Sequence, residues 1–265
     1  MQGKATLEDA LDLMRDLRRR CEWDAAQTHD SLRPYLVEEA AELDEALMKR
    51  DDGRIREELG DLLLQVLFHS VIAEERGAFD AHEVAGALIA KMKARHPHLY
   101  ADGERVPWER LKPWRQRASL EEGLPAGLPA LHRAHRLQDR AAAFGFDWND
   151  AAGPADKVAE ELEEVRQQMQ HLPPGGVSGH GAVRQGPEQE RLEAELGDLL
   201  FAVVNLCRKC GVHAALALDR ANAKFVDRWS EMERLAAERN LDLATAGLDT
   251  LDSLWDEAKS REDRT

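Results

Sequence analysis

Material for β-structure is scarce in this 265-residue chain, which has 13 Val, 3 Ile and 5 Thr and only 14 aromatic residues. Strands favour β-branched and aromatic side chains, so a sheet-based core is not expected. Three cysteines, Cys21, Cys207 and Cys210, are too few for a disulfide framework and suit a reducing compartment. Apolar runs are short: the longest, Leu62–Phe68 and Leu199–Leu206, are interrupted by Gln65 and Asn205 and fall far below membrane-spanning length. The first twenty residues carry Glu8, Asp9, Asp12, Arg15, Asp16 and Arg18 to Arg20 in place of the apolar stretch of a signal peptide. Basic residues are outnumbered, 36 Lys+Arg against 51 Asp+Glu, for a formal charge of −15. Affinity for a duplex comes mainly from Lys and Arg neutralising phosphates, so non-specific nucleic-acid binding and a basic membrane-surface role are both excluded. The expectation is an acidic, cytoplasmic protein with no nucleic-acid or membrane partner.

What the chain has in plenty is Ala, Leu, Glu and Arg, all good helix formers. Apolar residues recur at helical spacing from Thr6 to Arg20, at Leu7, Ala10, Leu11, Met14 and Leu17, behind a Thr6/Asp9 capping signal. Further helices are predicted at about Pro34–Lys49, Arg54–Arg76 with Gly77 as its stop, and Ala81–Arg95 with Asp80 as its N-cap. Residues 97–117 read as irregular. The segment LEEGLPAGLP at 120–129 marks a boundary, which places one module at 1–119, a linker at 120–130 and a second module at 131–265. In the second module helices are predicted near 130–143, 154–171, 188–209, 213–239 and 248–259, with a Pro/Gly-rich loop at 172–187.

The two modules repeat one pattern. Glu38-Glu39-Ala40-Ala41-Glu42, then Glu58-Leu59-Gly60-Asp61-Leu62-Leu63, then Lys91 and Arg95 occur in the first. Glu160-Glu161-Leu162-Glu163-Glu164, then Glu195-Leu196-Gly197-Asp198-Leu199-Leu200, then Lys224 and Arg228 follow in the same order in the second. The fold expected is therefore all-α, a tandem repeat of two helical modules.

Residues three and four apart share a helix face. Glu38, Glu39 and Glu42 cluster by that rule, as do Glu160, Glu161 and Glu164; Glu58 pairs with Asp61 and Glu195 with Asp198. A lone cluster of this kind is usually a solvated face. Here Asp61 and Asp198 each open a strongly apolar run and follow a mid-helix glycine, which suggests close approach by another helix. Clustered carboxylates repel unless a cation sits among them, and carboxylate oxygens are the ligands Mg²⁺ and Mn²⁺ prefer. The pairs Lys91/Arg95 and Lys224/Arg228, four residues apart, suit phosphate oxygens. Together these point to metal-assisted attack of water on a phosphoanhydride.

Other chemistries are poorly supported. Cys207 and Cys210 form a single CxxC with no second pair to complete a zinc site. His29-Asp30 and His96-Pro97-His98 lack the further ligands that a metal centre needs. Neither GxxxxGK[ST] nor GxGxxG occurs, and the ExxH pairs of di-iron bundles are absent.

Several segments resemble the MazG nucleoside triphosphate pyrophosphohydrolases of the all-α NTP pyrophosphatase superfamily. They are Cys21-Glu22-Trp23-Asp24, YLVEEAAEL (35–43), ELGDLLLQV (58–66), RHPHLYAD (95–102), GFDW (145–148), KVAEELEEV (157–165), ELGDLLFAVVNL (195–206) and ANAKF (221–225). The resemblance runs from about Leu7 to Lys259. It implies Mg²⁺-dependent hydrolysis of nucleoside triphosphates to monophosphate and pyrophosphate, in homodimers with four-helix-bundle active sites. It places metal ligands at Glu161, Glu164, Glu195 and Asp198, with Glu39, Glu42, Glu58 and Asp61 as first-module counterparts. Nucleotide contacts would fall at Lys157, Arg191, Lys224, Arg228 and Trp255, while Glu160, or Glu38 in the first module, polarises the attacking water. The second module is the main catalytic one by this resemblance, with Glu161 essential. A narrower dUTP/dCTP pyrophosphatase, or a helical regulatory module without turnover, are the alternatives. Glu22 stands where the family usually has proline, Arg191 replaces a lysine, and the 172–187 loop is longer than the family pattern.

Overall fold

The structure is a computed structural model that describes residues 5–101, 119–171 and 186–262. The expected 172–187 loop lies outside them except for its last two residues. Every regular element among the described residues is an α-helix, in keeping with the scarcity of β-formers. The chain divides into two compact units, Met1–Val106 and Pro107–Thr265. No single helix among the described residues is long and apolar enough to cross a membrane.

Unit 1 contains α1 (Leu7–Arg20), α2 (Glu22–Ala26), α3 (His29–Lys49), α4 (Asp52–Glu75), α5 (Ala81–Ala94) and α6 (Pro97–Tyr100). α1 opens with the predicted Thr6/Asp9 capping box. α3 begins five residues before the sequence expectation of Pro34. The Thr28 hydroxyl accepts from the Ser31 N–H at 3.1 Å and the Ser31 hydroxyl accepts from the Thr28 N–H at 2.9 Å. This reciprocal cap outweighs Pro34, which forgoes one backbone hydrogen bond from inside the helix. Two further short helices, α2 and α6, occupy stretches expected to be polar or irregular. A tight turn, with Arg50 left-handed at φ 55°, returns the chain so that α4 lies along α3 as a helical hairpin.

α4 ends where Gly77 was expected to stop it. Gly77 is left-handed at φ 65°, and the Ala78 N–H reaches back to the Ala73 carbonyl at 3.0 Å. The unit's core is Leu11 and Met14 of α1, Leu32 of α3 and Leu67, Phe68, Val71 and Ile72 of α4. Each fully buried side chain of this size contributes about 1.5–3 kcal/mol, so the end of the hairpin near Ile72 is the well-packed end.

Unit 2 contains α7 (Ala130–Ala143), α8 (Ala152–Met169), α9 (Pro187–Lys209), α10 (Ala214–Glu238) and α11 (Leu248–Glu262). α8 lies along α9, and α10 packs on α11 through Met232, Leu235, Ala236, Leu254 and Ala258. α9 stops as α4 does, with Gly211 left-handed and Val212 N–H on the Cys207 carbonyl. The sequence repeat is thus a repeat of structure: tandem helical modules, each with a two-helix hairpin.

Gly60 and Gly197 were expected to admit a neighbouring helix; within a single copy of the chain none of the described residues approaches them, and a Cβ at either position would meet nothing within 4 Å. Both glycines are exposed within their own unit, because they sit on the hairpin face that no other described helix of that unit covers.

Candidate active site

The hairpins bring most of the repeated carboxylates together. In unit 1, α3 supplies Glu39 and α4 supplies Glu58 and Asp61. Each offers one oxygen to a group in which all lie within 4.8 Å of one another. Glu58 is 4% exposed, and its carboxylate accepts from the Arg54 guanidinium at 3.3 Å. The Glu39 carboxyl is pushed up from its ordinary value by burial, then by the charges of Asp61, Glu42, Glu58 and Glu38. Glu42 and Glu38 therefore contribute field without joining the convergent group, and both are exposed.

In unit 2 the convergent group is Glu161 and Glu164 of α8 with Glu195 of α9, again within 4.8 Å. Glu161 is 5% exposed. Lys157, one turn earlier, places its Nζ 2.6 Å from Glu161 and donates to Glu160 at 2.9 Å. Those two bonds raise the Lys157 pKa. The Glu164 carboxyl is pushed up by its hydrogen bond with Glu161, by burial and by the charges of Glu161 and Glu195, against a lowering pull from Lys157. Asp198, the fourth position of the set, is exposed and outside the convergent group.

The repeat makes the comparison informative. Glu39 and Glu161 occupy one position, and Glu58 and Glu195 another; the third member is Asp61 in unit 1 and Glu164 in unit 2. The position of Lys157 is Tyr35 in unit 1, so the cation there comes from Arg54 instead. Its counterpart in unit 2, Arg191, is exposed on α9 one turn before Glu195. In each unit a donor set made only of carboxylate oxygens, with one member (Glu39, Glu164) held above its ordinary value, fits a hard divalent cation.

Of the residues expected to meet nucleotide, Arg228 and Trp255 come together. Arg228 of α10 lies with its guanidinium carbon 5.6 Å from the Trp255 ring centre and donates to Glu262 at 2.6 Å. Phe225, which the sequence did not single out, stands 5.3 Å from Trp255 and 6.4 Å from Trp229. Lys224 is exposed one turn before Arg228. No ion pair joins Lys224 or Arg228 to the carboxylates of α8 and α9 among the described residues. In unit 1, Lys91 is exposed near the end of α5 and Arg95 caps that helix.

Two polar fastenings escaped the sequence reading. Asp147, just before α8, accepts from Arg208 at 2.5 and 3.3 Å and from Lys209 at 3.3 Å, and Lys209 also donates to the Trp148 carbonyl at 2.7 Å. Burial opposes ionisation of Asp147, but the bonds and charges of Arg208 and Lys209 hold its carboxyl below the usual range. In unit 1, His29 at the start of α3 bonds His69 of α4. Asp147 and His29 were visible inside GFDW and an HD dipeptide, but their partners lie 40 or more residues away.

Comparison with known proteins follows the same two hairpins. The family profile of the MazG nucleotide pyrophosphohydrolase domain matches residues 27–100 and again 155–232. The chain is 38% identical to the nucleoside triphosphate pyrophosphohydrolase of Escherichia coli K12 over 94% of each chain. It is 39% identical to the nucleoside triphosphate pyrophosphohydrolase/pyrophosphatase MazG of Thermotoga maritima over 95% of each. The uncharacterized protein YabN of Bacillus subtilis is 38% identical over 96% of this chain and 51% of its own length.

Proposed function

The chain belongs to the MazG nucleotide pyrophosphohydrolase family, and from that premise we propose that it hydrolyses nucleoside triphosphates. Water would split the α–β phosphoanhydride of a (d)NTP, giving the (d)NMP and pyrophosphate, across several bases. The observation that carries this reading is the meeting of Glu161, Glu164 and Glu195 within 4.8 Å beside Lys157. Mg²⁺, or Mn²⁺ in its place, supplies charge neutralisation at phosphate oxygens and a more acidic bound water.

Glu161, Glu164 and Glu195 would hold that cation, with Asp198 as the remaining member of the set. Glu160 is exposed and already hydrogen-bonded to Lys157. Glu160 would take the proton of the attacking water. Lys157 now balances Glu160 and Glu161. With those carboxylates neutralised by a bound cation, the Lys157 ammonium would be free to meet a phosphate oxygen. Arg191, Lys224 and Arg228 would bind the polyphosphate, and Trp255 would contact the nucleotide. Unit 1 repeats the arrangement through Glu38, Glu39, Glu42, Glu58 and Asp61 with Lys91 and Arg95. It has Tyr35 in place of Lys157, which supports unit 2 as the principal site.

The carboxylate helices also carry exposed apolar residues, among them Leu162, Leu196, Leu200 and Phe201 in unit 2 and Val37, Leu59 and Val66 in unit 1. A second copy of the chain covering them, and closing on Gly60 and Gly197, would convert each hairpin into a four-helix site in a homodimer. The setting proposed is the cytoplasm. The test is product analysis with dGTP or UTP and Mg²⁺. Monophosphate plus pyrophosphate is expected, whereas diphosphate plus orthophosphate would overturn the cleavage assignment.

A further inference from the structure

The histidine pair of unit 1 has its protons fixed by geometry. The Arg76 guanidinium meets Nε2 of His29 at 3.0 Å, and arginine can only donate. Nε2 of His29 is therefore the acceptor, so the proton of the neutral ring sits on Nδ1. That Nδ1–H points at Nδ1 of His69, 2.7 Å away, so His69 accepts there and carries its own proton on Nε2. The ring planes differ by 15° and their centres are 5.0 Å apart. The short bond plus the two ring radii accounts for that separation, so the rings meet edge to edge. A second proton on His29 would set N–H against the Arg76 N–H. A second proton on His69 would set N–H against the His29 N–H. The chain Arg76–His29–His69 is complete only while both imidazoles are neutral.

Among the described residues no ion pair to either ring offsets an added charge. α1 packs here with Arg15 and Arg18, but these are committed to Glu74 and Glu75 of α4. Asp30, beside His29, pairs with Arg33 at 3.6 Å, and at the start of α5 His82 faces Glu8. Among the described residues no carboxylate lies within ion-pair distance of either ring. Burial, then the neighbouring His29, lowers the His69 pKa from its ordinary value.

The location gives the pair its consequence. His29 is the first residue of α3, and His69 stands less than two turns before the end of α4. The hairpin is therefore tied at one end by the Arg50–Asp51 turn and at the other by this bond, with Glu39, Glu58 and Asp61 between. In unit 2 the same end of the hairpin, the start of α8 and the end of α9, is tied by Asp147 to Arg208 and Lys209. The two units fasten one element with different chemistry, imidazole in one and carboxylate in the other.

We propose that His29 and His69 are positioning residues whose neutral pair holds α3 in register with α4 for cation binding at Glu39, Glu58 and Asp61. Mild acid releases unit 1, while the Asp147 fastening keeps unit 2 in register. This rests on reading the unit 1 carboxylates as a divalent-cation site. The test uses the full chain with the unit 2 carboxylates neutralised by Glu161→Gln and Glu195→Gln. Mn²⁺ binding is followed by electron paramagnetic resonance above the ordinary imidazole pKa of about 6.5 and at stepwise lower pH, since release is expected below that value, where His69, with its lowered pKa, takes its proton. His69→Ala is expected to weaken Mn²⁺ binding at the higher pH by about tenfold, the upper scale of one lost hydrogen bond. It should also flatten the acid dependence to the part that the carboxylates alone supply. His69→Gln, whose side-chain oxygen still accepts from His29, is expected to restore binding at the higher pH. Nitrogen-15 spectra of the histidines should show His29 protonated on Nδ1 and His69 on Nε2. A proton on Nε2 of His29, or unchanged Mn²⁺ binding and pH slope in His69→Ala, overturns the proposal and leaves the cation site standing. Failure of the intact pair to bind Mn²⁺ at any of these pH values removes the cation site and the proposal with it.

Discussion

Replacing Asp147 by alanine tests how the carboxylate helices of unit 2 are held together. The wild-type carboxylate receives two hydrogen bonds from Arg208 and one from Lys209, and the three side chains are 23%, 11% and 16% exposed respectively. An exposed ion pair contributes about 0–1 kcal/mol, and breaking a fully buried one costs about 3–5 kcal/mol. The intermediate burial, with Asn205 still accepting from Arg208 at 2.8 Å, places the loss at about 2 kcal/mol. A urea titration of unit 2 at neutral pH should show a lower midpoint with an unchanged slope. The pH dependence has a definite sign. The folded carboxyl titrates below its ordinary 3.8, so its contribution is complete above 3.8 and drains away as pH falls through the lower folded value. The gap between wild type and Asp147→Ala should therefore close in strong acid. A loss under about 0.5 kcal/mol at neutral pH, the range of ordinary surface changes, or a gap that persists in strong acid, would refute the reasoning.

Two other perturbations follow from the same region. A Cβ at Gly153 would lie 2.0 Å from Cδ1 of Trp148. Gly153→Ala should therefore destabilise unit 2 despite gaining about 1 kcal/mol of helix propensity, because overpacking costs about 1–3 kcal/mol. Tryptophan fluorescence during urea unfolding reports it, and a more stable variant would contradict the packing. Lys157→Met leaves the buried Glu161 beside Glu164 and Glu195 with no cation. Its melting temperature should fall without divalent metal and recover toward wild type in Mg²⁺; an equal deficit in both conditions would rule out a shared role for lysine and metal.

The architecture was legible because its signals are local. Thr6 with Asp9, Gly77 and Asp80 act through bonds spanning a few residues, and the ELGDLL repeat announced a second copy of the hairpin. The start of α3 was misplaced because Pro34 is a conspicuous helix marker, while the Thr28/Ser31 cap that prevails over it is chemically quiet. Spacing put Glu161 with Glu164 and Glu58 with Asp61 on single helices. It could not say that Glu195 would meet the first pair, or that Asp198 and Glu42 would stand outside, since that depends on the register between two helices. Asp147 with Arg208 and His29 with His69 bridge those helix pairs from 61 and 40 residues apart. No period or motif in the sequence connects such partners.

The central claim is that the carboxylates of unit 2 carry hydrolysis at the α–β bond. The most direct measurement is the initial rate of pyrophosphate release from dGTP in saturating Mg²⁺, compared for the wild type, Glu161→Gln and Glu39→Gln. Glu161→Gln is expected to lose more than about a hundredfold, beyond the 10–100-fold span of outer-shell losses, while Glu39→Gln keeps most of the rate. Pyrophosphate release that survives Glu161→Gln and disappears in Glu39→Gln would contradict the account and move the chemistry to unit 1.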